Sequence, residues 1–187
     1  MRVISIFLFI FIVSCSANSS GVSTKLVQDA SQDNAKNCLK DAPKWFSNPR
    51  DDQAVGTGES RDLALSRTKA ETDARIKLAN TINVRVVNVI TATAGENTAA
   101  FGRQVSQATE TTVNTLVQGM TIDKYYLCPK MVGGIEGYQS FALLTVDIED
   151  AISRIREELS RQKDSSDDAD FGSFLDDVSE KLDSAFE

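Results

Sequence analysis

A helical repeat of small side chains in the middle of the chain constrains its fold more than any other sequence feature. Residues 60–82 predict a helix with one apolar face at 3.6-residue periodicity, formed by Leu63, Ala70, Ala74, Leu78 and Ile82. Alanine adds little width to a helix face, so a densely packed partner comes very close to it. The pattern therefore predicts a helix lying tightly on a sheet, with Ser60 as its N-cap.

Other patterns predict the remaining elements. Strands are predicted at residues 53–58, 84–93, 120–128 and 138–146, and further helices at 98–117 and 148–163. The predicted face of the helix at 98–117 consists of Phe101, Val105, Ala108, Thr112 and Leu116. A glycine-rich loop at 133–137 joins the last two strands. This order predicts an α+β fold, with a mostly antiparallel sheet and helices packed on one of its faces.

The N-terminus resembles a bacterial lipoprotein signal. Arg2 precedes an apolar run over residues 3–13, which is shorter than the about 20 residues that span a bilayer. The run ends in Ile12-Val13-Ser14-Cys15, which resembles a lipobox, a motif that is cut before its cysteine. We predict a signal peptide at residues 1–14 and an acyl (palmitate-type) anchor on Cys15. The alternative is an ordinary secretory signal with an incidental cysteine. Ser16, instead of an aspartate, favours the outer membrane.

The polar residues 15–40 predict a lipid anchor followed by a flexible linker. With Cys15 acylated, Cys38 and Cys128 remain, and export delivers both to an oxidising compartment. We therefore predict a disulfide between them, and two unpaired buried thiols are the alternative. Neither cysteine has the C-x-x-C partner or the histidine that an activated thiol needs.

The acidic character of the chain is concentrated behind the predicted domain, which covers residues 41–163. The formal net charge is −7, and nine of the 27 acidic residues follow Lys163. The tail at residues 164–187 also has apolar residues at helical spacing: Phe171, Phe174, Leu175, Val178, Leu182 and Phe186. Two interpretations stay open: the tail is a docking helix for a partner, or it folds back onto its own domain.

Aromatic residues stand at the entrance of the predicted domain. Trp45 and Phe46 lie between Pro43 and Pro49, and these prolines restrict the direction of the chain. We expect the two aromatic side chains to close one end of the core. An exposed patch that binds a partner is the alternative.

Several kinds of chemistry are excluded by the residues present. The chain has no histidine, and three cysteines are one too few for an all-thiolate zinc site. The acidic tail lacks the ligand spacing of an EF-hand. Residues 56–60 lack the lysine of a phosphate loop and the third glycine of a dinucleotide loop, so we predict a turn there. We expect no metal ion, no cofactor and no enzymatic activity, and the acidic balance argues against nucleic acid. Two pairs have the residue types of a hydrolase, Glu59 with Asp62 and Ser66 with Lys69.

Taken together, these features resemble the LPP-twenty group of small bacterial outer-membrane lipoproteins, whose relatives include lipoproteins of the flagellar outer-membrane disk. The resemblance covers about residues 41–160 and lies in Pro43-x-Trp45-Phe46, in Val55-Gly56-x-Gly58, in Ala64, Ala70, Ala74, Arg75 and Leu78, and in residues 141–146.

The resemblance implies an α+β domain that is anchored to the outer membrane and has no known catalytic residues. Self-assembly or contacts with envelope proteins would be its mode of action, and a flagellum-associated role is one version. The alternative is a periplasmic module that binds a small molecule or an envelope polymer, at a sheet edge or at the 133–137 loop. Which face of the outer membrane the domain occupies stays open.

Overall fold

A three-stranded sheet organises the part of the chain that the computed structural model describes, residues 38–186. In chain order the elements are α1 (Lys44–Ser47), β1 (Gln53–Ser60), α2 (Leu63–Thr93), α3 (Ala99–Gly119), β2 (Lys124–Val132), β3 (Ile135–Thr145), α4 (Ile148–Asp164) and α5 (Ala169–Lys181). The strands pair antiparallel in the order β1-β3-β2, and helices pack against the sheet, so the predicted α+β fold is confirmed. The predicted signal peptide, Cys15 and nearly all of the predicted linker lie outside the described residues.

Helix α2 lies unusually close to strand β1. A Cβ atom added at Gly56 would stand 2.0 Å from the carbonyl oxygen of Ala70, and one added at Gly58 would stand 2.2 Å from that of Ser66. The close packing predicted from the alanines is confirmed. We call this contact the small-residue seam, and it is formed by Gly56, Gly58, Ser66, Ala70 and Ala74. Both glycines lie inside β1, so the predicted turn at residues 56–60 is wrong. The backbone of α2 occupies the space beside them in which a phosphate group would have to bind.

Helix α2 continues to Thr93, so the predicted strand at residues 84–93 is wrong. Apart from Ala79, the buried residues of α2 follow one another at intervals of four, and Val86 and Ile90 extend this row past Ile82. The preference of β-branched residues for strands is weak, and burial along one helix face overrides it here. The N-cap is Asp62, whose carboxylate accepts a hydrogen bond from the Leu65 N–H at 2.7 Å.

The predicted cap, Ser60, is the last residue of β1. Its hydroxyl oxygen accepts a hydrogen bond from the Asp62 N–H at 3.1 Å. Ser60 therefore does not cap α2 itself but positions Asp62, the N-cap residue that follows two residues later.

Helix α3 forms where it was predicted, but its buried face is rotated by one residue. The buried side is Gly102, Val105, Thr109, Val113 and Val117. Of the predicted face, Phe101 is half-buried because it packs against α5, with ring centroids 5.1 Å from Phe171 and 6.2 Å from Phe174.

The β2–β3 hairpin has a shorter loop than the sequence predicts. Val132 pairs with Ile135, so the turn consists of Gly133 and Gly134 alone. Their φ angles of +59° and +77° are the positive values that a type I′ turn requires at both positions. Gly137 lies within β3 opposite Lys130, so the predicted five-residue loop is wrong.

Helix α2 also covers the free edge of β1. Side chains one helical turn apart satisfy its outward-facing backbone groups: Lys69 Nζ donates to the Glu59 carbonyl at 3.1 Å, the Thr57 N–H donates to Asp73 Oδ2 at 2.7 Å, and Lys77 Nζ donates to the Val55 carbonyl at 3.1 Å. An uncovered edge strand is a template for pairing with another chain. These bonds remove that risk on the β1 side of the sheet.

Replacing Gly56 by alanine tests the small-residue seam. The new methyl group would meet backbone atoms of α2, which cannot move without shifting the helix, so we expect Gly56→Ala to lower the free energy of unfolding by about 3 kcal/mol. Gly119→Ala is the matched control, because a Cβ there has nothing within 4 Å. The control should leave stability unchanged or raise it slightly. Urea unfolding measures both, and equal effects would contradict the seam.

Asp73 gives the covered edge a pH dependence. Partial burial alone would raise its pKa, but hydrogen bonds from Lys77 and from the Thr57 N–H outweigh this and hold the pKa below its ordinary value. A lowered pKa stabilises the fold above the ordinary range of aspartate, and this stabilisation is lost as the pH falls through the lowered value.

We therefore expect Asp73→Asn to destabilise the protein at neutral pH by about 1 kcal/mol or less, since the pair is solvent-screened. The difference from wild type should vanish in acid. Urea midpoints measured from pH 7 down to pH 2 check this expectation. Asp167→Asn, which removes an exposed carboxylate with no ion pair among the described residues, should show no such pH-dependent difference.

Candidate functional site

A disulfide fastens the first described residue to β2, an edge strand of the sheet. Cys38 and Cys128 are bonded, with their Cα atoms 5.8 Å apart, so the predicted pairing is confirmed. Cys128 lies in β2 opposite Gln139 and is fully buried. The predicted linker therefore enters the domain at β2, at a covalently fixed point.

The residues after Cys38 cover the sheet face that points away from α2. We call residues 38–47 the N-terminal cover. The Phe46 ring meets Phe141 edge-on at a centroid distance of 4.5 Å, and the Tyr126 hydroxyl donates to the Cys38 carbonyl at 2.7 Å. Phe141 and Leu143 are each only 2% exposed. Because side chains alternate along a strand, the sheet buries apolar residues on both faces.

Of the two aromatic residues predicted as a core plug or as a partner patch, Phe46 is engaged with the sheet of its own chain. Trp45 is half-buried beside it. Both aromatic residues thus belong to the N-terminal cover.

The acidic tail packs onto its own domain. Phe171, Phe174, Leu175, Val178 and Leu182 are buried in the main core, and Phe186 is half-buried against it. Of the two interpretations of the tail, the structure shows the folded-back helix. A docking helix that offers these side chains to a partner is not what the structure shows, because the chain's own core already covers them.

Ion pairs from α4 hold α5 and the residues that follow it. Lys163 Nζ lies 2.7 Å from Asp176 Oδ1, and Arg156 donates to Asp183 Oδ2 at 2.7 Å. The predicted domain boundary after residue 163 falls in the last turn of α4, and α4 and α5 share one core. Residues 164–186 are therefore part of the folded unit.

The residue pairs with hydrolase-like chemistry have structural partners. Glu59 forms an ion pair with Lys130, and Asp62 caps α2. The Ser66 and Ser140 hydroxyl groups are 2.5 Å apart inside the small-residue seam, whereas Lys69 bonds the edge of β1. Neither pair is placed as a nucleophile with its base. Within residues 38–186, no group of three or more potential ligand side chains is placed to hold a metal ion.

Tyr125 has a strongly raised pKa, and this too has a structural cause. Partial burial, followed by a hydrogen bond of 2.5 Å to Glu71, raises the pKa of Tyr125 to about 12. The Arg67 guanidinium lies 5.5 Å from the centre of its ring. At neutral pH the phenol stays protonated and donates to Glu71, so Tyr125 ties β2 to α2.

A large concave surface lies between α2 and α3. This α2–α3 groove has a volume of about 1050 Å³ and is lined by residues that include Asn83, Val84, Val87, Gly102, Arg103 and Glu110. Val84 is 60% exposed and Val87 is 37% exposed, which is high for valine side chains on a long helix. The α2–α3 groove is thus a surface with exposed apolar groups.

Sequence reasoning missed this groove because residues 84–93 were predicted as a strand. In a strand, Val84 and Val87 point to opposite faces. On a helix, Asn80, Val84, Val87 and Thr91 recur at helical spacing and share one side. The helical spacing of these four residues is the sequence signal that could have revealed this side of the groove.

No protein-family model matches this chain, and no curated protein matches it. The LPP-twenty resemblance therefore stays a prediction from the quoted residues. Among the described helices, none combines the length and apolar character needed to cross a membrane.

Replacing both cysteines by serine tests the disulfide. A bond that closes a loop with a sequence separation of 90 residues removes much of the unfolded chain's freedom. We expect Cys38→Ser/Cys128→Ser to lower the free energy of unfolding by about 4 kcal/mol. A reducing agent should lower the wild-type urea midpoint and leave that of the double variant unchanged. Cys15→Ala should keep the full response to reductant, and an insensitive wild type would contradict the bond.

Proposed function

We propose that this protein is a non-enzymatic lipoprotein of the bacterial outer membrane that acts as an assembly or interaction module of the cell envelope. Lipid on Cys15 anchors the chain to the membrane, and the linker gives the folded domain reach. The domain supplies the contact surface for a second copy or for an envelope protein. The LPP-twenty resemblance supports this proposal, and a flagellum-associated structural role is its more specific version.

The observation that carries the proposal is the α2–α3 groove. It exposes Val84 and Val87 in a concave surface, whereas the side chains that would suit catalysis are engaged in caps, ion pairs and the small-residue seam. Concave surfaces with exposed apolar side chains mark binding sites more often than they mark structural defects.

The disulfide supports an exported, tethered domain. Disulfides persist in oxidising compartments such as the bacterial periplasm. The bond between Cys38 and Cys128 transfers any pull on the linker to β2 instead of to the N-terminal cover. The cover lies on the sheet face away from α2, so the point at which the described chain enters the domain is on the other side of the sheet from the α2–α3 groove.

Removing the lipid site tests the proposal in the native envelope. Wild type, Cys15→Ala and the control Ser16→Ala are extracted with detergent, crosslinked and analysed by mass. We expect wild type and Ser16→Ala to carry lipid and to be recovered in a high-order complex. Cys15→Ala should lack the lipid and the complex, because two acyl chains are what give stable anchoring.

A lipidated wild-type protein that is recovered as a monomer without partners would overturn the assembly function. A wild-type protein without lipid, in the same complex as Cys15→Ala, would overturn the anchoring instead. The two parts of the proposal are therefore separable in one experiment.

A further inference from the structure

The α2–α3 groove carries one positive and one negative side chain that have no ion-pair partner within residues 38–186. Arg103 and Glu110 are both exposed on α3, and neither takes part in the salt bridges of the described chain. Seven residues separate them, which is about two helical turns or about 10 Å, so they lie on the same side of α3. The groove is thus neutral as a whole and polarised along its length.

The other polar groups of the groove are amides. Asn80, Asn83, Asn88 and Gln107 line it, and within the described part of the chain none of their side chains forms a hydrogen bond. An amide has both donors and an acceptor, so it bonds well to another amide. The exposed Val84 and Val87 lie among these groups and offer apolar area.

We propose that a second copy of this chain occupies the α2–α3 groove in a two-fold symmetric dimer. In such a contact, if residue i touches residue j, then j also touches i. A two-fold axis that crosses the groove midway between Arg103 and Glu110 brings Arg103 against the partner's Glu110, and the same axis brings Glu110 against the partner's Arg103. Both unpaired charges are thereby neutralised by one operation.

The same axis brings the groove face of one copy, with its amides and exposed valines, against the same face of the other. A nucleic acid or a strongly charged peptide would need a groove of one sign, whereas this one holds one charge of each sign. In an isologous contact the same patch faces itself, so its charges, amides and apolar groups must be able to pair with their own copies. This inference deepens the assembly function proposed above and rests on it.

Charge reversal at the two sites provides a sharp test. The full-length protein in detergent is analysed by light scattering and by sedimentation over a range of concentrations. Arg103→Glu alone places two like-charged pairs across the axis, and so does Glu110→Arg alone. We expect each single variant to dimerise about tenfold more weakly than wild type.

Combining the reversals should restore the dimer in two independent ways. The double variant Arg103→Glu/Glu110→Arg again pairs opposite charges and should dimerise like wild type. An equimolar mixture of the two single variants should form a mixed dimer, because every pair across the axis then joins opposite charges. A variant that simply misfolds would be restored by neither combination.

An apolar substitution with a matched control completes the test. Val84→Glu places a charge in the centre of the contact and should abolish the dimer. Ile135→Glu changes a residue that is 52% exposed, close to the 60% of Val84, but it lies at the hairpin turn. Its dimerisation should equal that of wild type, and circular dichroism checks that both variants are folded.

Two results would overturn the inference. One is a wild-type protein that stays monomeric at high concentration. The other is a wild-type dimer that neither the charge reversals nor Val84→Glu weakens. In both cases a membrane complex that depends on Cys15 would leave the assembly function standing, with another contact surface. If that complex is missing as well, the assembly function fails too.

Discussion

The close contact between α2 and β1 is the constraint on which the rest of the structure depends. Gly56 and Gly58 have no side chain, and Ala70 and Ala74 are fully buried against them, so the helix backbone rests directly on the strand. At this distance α2 also reaches past the strand and bonds its free edge. The position of α2 in turn sets where its long C-terminal half leaves the sheet and meets α3.

The sheet is covered on both faces, and different parts of the chain cover each face. On one face, helices bury Ala142 and Leu144 in the main core. On the other face, the short N-terminal cover packs on Phe141 through Phe46, and the disulfide holds the cover in place. The disulfide removes chain entropy from the unfolded state, so it helps to retain this short segment over the sheet.

This division of labour fits an anchored interaction module. The described chain enters the domain at Cys38, on the sheet face away from α2, and the α2–α3 groove lies on the helical side. In the proposed function, pull on the anchor and binding in the groove would therefore act on different parts of the fold. The acidic tail contributes to the core through Phe171 and Phe174, and its carboxylates within the described residues stay at the surface.

Features that depend on local pattern or on composition can be read from the amino-acid sequence. The period of α4, the small face of α2 and the pairing of Cys38 with Cys128 could all be predicted, since each follows from neighbouring residues or from elimination among three cysteines. Three other features depend on long-range packing: residues 84–93 are helical, α5 folds back, and α2 and α3 enclose a groove. In these cases the local signal allows two states, and burial against residues distant in sequence selects between them.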